Sequence, residues 1–291
     1  MIFQEKQSLK EYNTFGLDCK ANLFAAFQSE EDLKKLLPKI QEPLLILGGG
    51  SNILLTKDFE GSVLKNEIQG IEIIKETKEY AIVRVGGGEV WHDFVTWSIE
   101  NNLGGVENLS LIPGSVGAAP MQNIGAYGVE IKSVFEELEA LEIDTLVSRK
   151  FNKEACHFGY RNSIFKGELK GKYIITKGYF KLQKKHNFKT SYGDIEEELI
   201  NMGATTLSLK AISQAVINIR ERKLPNPQEI GNSGSFFKNP IINTNQFEEL
   251  QKEFPNIIGY TVSKAETKLA AGWLIDRAGW KGFRKGRCRH P

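Results

Sequence analysis

Three glycine-rich stretches, each at the end of an apolar run, constrain what this chain can fold into more than any other feature. Gly48-Gly-Gly-Ser-Asn52 follows the run LLIL, and Gly86-Gly-Gly88 follows YAIVRV. The third is Ile112-Pro-Gly-Ser-Val-Gly-Ala-Ala-Pro120, with Gln122-Asn-Ile-Gly-Ala-Tyr-Gly128 behind it. Small residues at this density leave backbone amides bare and let a ligand lie against main chain. The first loop has two readings, an anion cradle or a tight hairpin turn. The residues after it, Ile53-Leu-Leu55, read as a second strand. A dinucleotide fingerprint that opens a helix therefore fails on context, and the absence of GK[ST] excludes a Walker loop. Three such segments in one domain point to a long ligand, such as a dinucleotide.

The runs between the loops predict an α+β chain. SEEDLKKLLPKI, with acids early and lysines late, predicts a short helix. GSVLKN, GIEIIKE, YAIVRVGGG, FEELEALEID and KYIITKGYFKL predict strands, and Asn13–Leu17 a turn. EVWHDFVTWSIEN and ISQAVINIRERKLP carry a helical period, the second stopped by Pro225. QFEELQKEF predicts a helix behind an Asn243–Thr244 cap. Two prolines in Leu224-Pro-Asn-Pro-Gln228 mark the expected domain junction. The expectation is a first domain over 1–224, with sub-parts of about 1–70 and 71–224, and a small second domain over 225–291.

Composition narrows the function classes. The 291 residues are 41% hydrophobic and 25% charged, as in an ordinary globular protein. There is no apolar run long enough to span a membrane and no secretory leader pattern at the N-terminus. Three cysteines without a CxxC pair fit a reducing cytosol and argue against a disulfide framework or a zinc site, so no metal is expected. The net charge of +2 belongs to the last eleven residues, KGFRKGRCRHP; without their five bases, 33 bases face 36 acids. Five charges with one aromatic residue among them do not make a nucleic-acid surface. A cytoplasmic monomer, with no nucleic-acid or membrane partner, is the expectation.

Longer motifs carry more information. NTFGLDC, LILGGGSNILL, LGGVENLSLIPGSVGAAPMQNIGAYGVEI, FGYRNSIFK and KLPNPQEIGNSGSFFKNP occur in this order from about Asn13 to about Lys285. Together they resemble the UDP-N-acetylenolpyruvoylglucosamine reductases, flavin-dependent enzymes of bacterial peptidoglycan precursor synthesis. TSYGDI resembles the subgroup with an extra tyrosine-bearing loop. The resemblance implies a two-part FAD-binding domain of the vanillyl-alcohol-oxidase (PCMH) type, followed by a smaller α+β substrate-binding domain. It implies FAD as cofactor, NADPH as co-substrate and a UDP-sugar as substrate.

Residue by residue, the resemblance places Gly48, Gly50, Ser51, Asn52, Pro113, Gly114, Ser115, Gly117, Asn123, Gly125 and Ala126 against the cofactor. It makes Arg161 the cation that stabilises the charge developing beside the substrate carboxylate, a task suited to the guanidinium fork. It makes Ser235 the proton donor to the carbon next to that carboxylate, and Tyr192, Lys223 and Asn239 substrate contacts. Taken singly, each of these residues reads as turn or surface chemistry; their order and spacing set them apart. Tyr160 reads as a core or flavin-proximal aromatic, and Lys238 as a charge that would favour the Ser235 alkoxide.

The pattern departs from the family after KGFRKG. The family continues with a DAGVH-type segment and a catalytic glutamate paired with the arginine matched by Arg161, where this sequence reads GRCRHP. The expectation from this is an incomplete second domain, of the kind a frame shift or truncated gene produces. Glu266, placed in a helix-forming stretch, does not match the missing acid. The alternative function is then an FAD-binding pseudoenzyme that retains the cofactor but reduces the sugar poorly.

Overall fold

A computed structural model describes residues 2–285 and 288–289; of the basic tail, Arg287, His290 and Pro291 lie outside the described residues. The chain divides into two compact units, Met1–Ser233 and Gly234–Pro291.

The first unit is built on two sheets. Strands β1 (Gln4–Ser8), β2 (Lys20–Phe27), β3 (Leu44–Leu47) and β4 (Phe59–Asn66) form the first, in the order β1-β2-β4-β3. β2 and β3 run parallel to β4, and β1 antiparallel to β2. Parallel neighbours need a crossover, supplied by α1 (Glu30–Leu36), which starts where the Ser29 hydroxyl accepts the Asp32 amide at 3.1 Å. Leu33 and Leu36 of α1 pack with Phe27, Leu64 and Ile68. Leu141 and Ile174, from the second sheet, join the same cluster.

The second sheet is antiparallel: β5 (Ile71–Glu76), β6 (Tyr80–Gly86), β9 (Phe135–Glu142), β10 (Ser148–Asn152) and β11 (Tyr173–Gln183), in the order β10-β9-β11-β6-β5. The intervening two-residue strands β7 (Gly125–Ala126) and β8 (Val129–Glu130) form a separate ladder. α2 (Trp91–Glu100) lays Trp91, Phe94 and Val95 on this sheet, with the Phe94 and Phe180 rings 4.9 Å apart. Buried Asn66 joins the sheets: its Nδ2 donates to the Ile175 carbonyl at 3.0 Å and its Oδ1 accepts the Ile68 amide at 3.1 Å. Helices α3 (Ile195–Asn201) and α4 (Leu209–Lys223) close the unit through Ile195, Leu199, Ile212, Val216 and Ile219. Arg220, Arg222 and Lys223 lie in the last turn of α4, where the helix dipole favours cations.

The second unit holds β12 (Ile241–Asn243), α5 (Thr244–Glu253), β13 (Gly259–Thr261), β14 (Glu266–Leu269) and α6 (Ala271–Arg277). Its sheet is antiparallel, ordered β12-β14-β13. The Asn243 side chain caps α5 by accepting the Asn245 amide at 2.8 Å.

Two local expectations are corrected. Ile53-Leu-Leu55 is not a strand. Ile53 and Leu55 pack beside Leu9, Phe24 and Val63 while Leu54 is exposed, so the alternation reflects burial without a ladder partner. Glu266 begins strand β14 and is not helical, because its stretch pairs with both β12 and β13. Segment 225–233 is tied to the first unit. The Thr14 hydroxyl donates to the Asn232 carbonyl at 2.5 Å, the Asn232 amide donates to the Thr14 carbonyl at 3.1 Å, and Gly231 lies against the Phe15 backbone.

Candidate functional site

The loop after β3 and the loop at Pro113–Gly117 press directly on each other. A Cβ built on Gly49 would lie 2.7 Å from the Gly114 Cα, and one on Gly48 would lie 2.5 Å from the Ser115 Oγ. Gly50 and Gly114 hold φ values of +64° and +115°, which side chains other than glycine rarely adopt. Only glycine permits both the approach and these turns.

Orientation of the peptide planes matters more than the glycines themselves. The Gly48 carbonyl accepts from the Lys65 ammonium at 2.8 Å, the Gly50 carbonyl from the Thr14 amide at 3.2 Å, and the Gly114 carbonyl from the Trp91 amide at 3.0 Å. In a trans peptide the carbonyl and the following N–H point in opposite directions. Three carbonyls fixed inward therefore turn the Gly49, Ser51 and Ser115 amides outward. Among the described residues, no protein group accepts these amides or those of Gly50, Asn52 and Gly114. A cluster of outward N–H groups is an anion cradle, so the residues present fit the diphosphate of a dinucleotide. The Asn52 side chain lies alongside, donating to Gln122 Oε1 at 3.4 Å.

Gly86-Gly-Gly88 serves a different purpose. Its three amides donate to the carbonyls of Gly70, Thr176 and Ile68 at 2.9, 2.7 and 2.8 Å. The Gly117 amide is likewise taken by the Gly87 carbonyl at 2.8 Å. These glycines let main chain pack on main chain and leave no amide for a ligand.

Asn123, φ +45°, is a structural joint. Its buried amide donates to Glu130 Oε2 and the Gly159 carbonyl, both at 3.0 Å, and its Oδ1 accepts the Lys132 amide at 3.2 Å. Arg161 sits beside it at φ +52°, with its guanidinium donating to the Asn123 carbonyl at 3.5 Å and to the Gly125 carbonyl. The Arg161 guanidinium also lies 5.5 Å from the Tyr160 ring. Glycine at 125 permits a close approach, because a Cβ would come within 2.9 Å of the Val129 carbonyl oxygen. The structure thus brings Asn123, Gly125, Tyr160 and Arg161 together.

Lys223 meets the segment that carries Tyr192 through Asp194. Tyr192 packs on Gly128, and Lys223 forms an ion pair with Asp194 at 2.5 Å. Arg220, one turn before Lys223, is missed by motif reading. Its Nε donates to the Leu111 carbonyl at 3.2 Å, and among the described residues it forms no ion pair. Burial pulls its guanidinium below the usual range, and burial pushes the Tyr127 hydroxyl beside it up. The signal available in the sequence is its i, i+3 spacing to Lys223, which puts both on one helix face. In the second unit Ser235 and Lys238 are exposed, and Asn239 Oδ1 accepts the Ala271 amide at 2.9 Å, at the start of α6.

Known proteins are similar to this chain over nearly its whole length. A family model described as FAD binding domain matches residues 21–145. A second, described as UDP-N-acetylenolpyruvoylglucosamine reductase, C-terminal domain, matches residues 226–290. The UDP-N-acetylenolpyruvoylglucosamine reductase of Flavobacterium johnsoniae is 52% identical over 98% of this chain and 86% of its own length. The chain belongs to the UDP-N-acetylenolpyruvoylglucosamine reductase family. The Pseudomonas aeruginosa reductase is 46% identical over 97% of this chain and 84% of its own. The crystal structure of the reductase from Thermus caldophilus shares the fold, with a TM-score of 0.67 at 24% identity, over 98% of this chain and 84% of that one. Family membership makes the chain an FAD-dependent oxidoreductase, with the two-part FAD-binding fold and smaller α+β domain that the motifs imply. Among the described residues no helix is long and apolar enough to cross a membrane, and no cluster of His, Cys, Asp and Glu is arranged to hold a metal.

Proposed function

We propose that this chain reduces the enolpyruvyl group of UDP-N-acetylglucosamine enolpyruvate to the lactyl ether of UDP-N-acetylmuramate, with NADPH as the electron source. The outward amides of Gly49, Ser51 and Ser115 carry the reading, because they offer a diphosphate what it needs in a chain 52% identical to a reductase of that name. FAD supplies hydride transfer to the terminal vinyl carbon. The protein's part is to bind, orient and protonate.

In this reading Gly48, Gly50, Ser51, Asn52, Pro113, Gly114 and Ser115 would hold the cofactor, together with Asn123, Gly125 and Ala126. Gly117 acts through its packing on Gly87. Arg161 holds the substrate carboxylate and offsets the negative charge that grows beside it. The carbonyls of Asn123 and Gly125 keep its fork in place until substrate arrives. Ser235 delivers the proton to the carbon next to the carboxylate. Lys223 and Tyr192 bind the diphosphate side of the sugar nucleotide, Arg220 adds a cation on the same helix face, and Asn239 anchors the sugar. As functional modules, 1–224 is the FAD-binding domain and 225–291 a substrate-binding domain. A cytoplasmic monomer fits these assignments.

Stopped-flow spectroscopy of the purified flavoprotein tests the two halves separately. NADPH should bleach the flavin band, and the enolpyruvyl sugar nucleotide should restore it. In Ser235→Ala the bleaching rate should be unchanged, while recovery slows by about 10²–10⁴-fold, the range of general acid catalysis. Recovery at the parent rate would remove Ser235 from the mechanism. A flavin that bleaches in the unsubstituted protein and never recovers with the sugar nucleotide would favour the cofactor-binding alternative.

A further inference from the structure

Lys65 is out of place for a lysine. It lies in the penultimate position of β4, on the face that also carries Val63, and its side chain is half-buried. Among the described residues it forms no ion pair; Glu67 is the acid whose charge it feels. Burial holds its ammonium below the ordinary lysine range, so the fold keeps a cation where cations are disfavoured. Among the described residues its protein acceptor is the Gly48 carbonyl, 2.8 Å away, in the first peptide of the cradle.

The other inward carbonyls of the cradle, those of Gly50 and Gly114, are held by backbone amides of Thr14 and Trp91. Main chain does that work without charge. At Gly48 a lysine has been used instead, and it adds something an amide cannot. A full positive charge stands behind a peptide whose N–H faces the ligand. The peptide unit between them is polarised by the ammonium at its oxygen, which strengthens the Gly49 N–H as a donor.

We propose that Lys65 is a positioning residue for the cofactor diphosphate: it fixes the Gly48–Gly49 peptide with its N–H outward and supplies the cradle's charge from behind. The ammonium is committed to the Gly48 carbonyl. It acts through the peptide and through the field, so its effect belongs to cofactor affinity and to its salt dependence. The inference rests on the cofactor reading of the cradle.

Titration of deflavinated protein with FAD, followed by quenching of flavin fluorescence, separates the possibilities. Lys65→Met should weaken FAD binding by about tenfold or more, as loss of a hydrogen bond from a charged group does. Its dependence of log Kd on log salt should be shallower than the parent's, since one charge near the diphosphate is gone. Lys65→Arg should recover most of the affinity and the parent's salt slope, because charge and donor are kept. The melting temperature of each apoprotein, read by circular dichroism, checks the fold. Equal affinity and equal salt slope in parent and Lys65→Met would overturn the proposal. Equal loss in Met and Arg variants, with both apoproteins melting lower than the parent, would reduce Lys65 to a packing residue and overturn it as well. Failure of the parent itself to bind FAD would overturn the cofactor reading and this inference together; loss of the Lys65 effect alone leaves that reading standing.

Discussion

At the scale of single residues, backbone direction decides which glycines serve the ligand. A Cβ at Gly50 would collide with the Tyr12 carbonyl oxygen and force a side chain into φ +64°. Gly70, at φ +117°, has nothing within 4 Å of a built Cβ. Gly70→Ala should therefore cost the backbone strain alone, roughly 1–3 kcal/mol, and keep its flavin. Gly50→Ala should cost about 2–4 kcal/mol, strain plus displacement of the loop, and emerge from purification largely colourless. Urea unfolding and the flavin-to-protein absorbance ratio measure both; equal behaviour of the two variants would detach the cradle from the Gly50 turn. The same contrast explains what could be read in advance. GGGSN and GGG at strand ends look alike as sequence, and both suggest bare amides. Only the acceptors contributed by Gly70, Thr176 and Ile68 separate the packing loop from the binding loop, and these come from other elements. Lys65 was invisible for a related reason, since a lysine in an alternating strand reads as its solvent face.

At the scale of elements, β9 and β11 show how a charged ladder is held. Glu139 of β9 accepts from Lys177 Nζ at 2.8 Å and Tyr179 Oη at 2.7 Å on β11, with Lys150 of β10 nearby. Burial alone would raise the Glu139 carboxyl, but the hydrogen bonds from Lys177 and Tyr179 outweigh it and hold the group below its ordinary value of 4.5. A depressed folded-state pKa contributes stability above the unfolded value, and loses it as pH falls through the folded one. The parent should therefore lose this contribution on acidification below about pH 4.5. Glu139→Gln should be less stable than the parent at pH 7, and the gap should close as pH falls toward 3. Urea midpoints at several pH values measure it, and parallel curves for the two proteins would rule out a role for the carboxylate. FEELEALE and KYIITKGYFKL were legible as strands without a strict alternation of apolar residues, and the β9–β11 pairing brings Phe135, Leu138, Ile175 and Phe180 into one cluster. The helix Ile195–Asn201 and the strands Gln4–Ser8 and Lys20–Phe27 were not read from the sequence. QEKQS has no apolar face, and IEEELIN is short, so tertiary pairing rather than local pattern makes both.

At the scale of the whole molecule, the two units differ in how much they bury. The first encloses clusters around Trp91, Phe94, Phe180 and Leu138, and around Phe27, Leu33, Leu64 and Ile174. In the second, the buried apolar residues among those described are Ile257, Leu269 and Ala271, while Phe236 is 74% exposed and Trp280 53%. Order and motif made the family legible along the whole chain, but a motif such as GNSGSFFKNP says nothing about the core beneath it. Few buried apolar contacts mean a low free energy of local opening. Native-state hydrogen exchange should therefore find the β12–β14 amides exchanging at least about 100-fold faster than those of β6 and β11, which corresponds to a difference of roughly 3 kcal/mol in opening free energy. FAD added at about 100 times its Kd should slow exchange in β3, β4 and the first unit's core by the linkage term, about 2.7 kcal/mol at most. The cradle lies wholly in Met1–Ser233, so its ligand should protect that unit first. Adding the enolpyruvyl sugar nucleotide to the FAD-loaded protein should then protect β12–β14 as well, because Ser235 and Asn239 are assigned to the substrate. Protection of those strands by FAD alone, with no further change on adding sugar nucleotide, would contradict that division of labour.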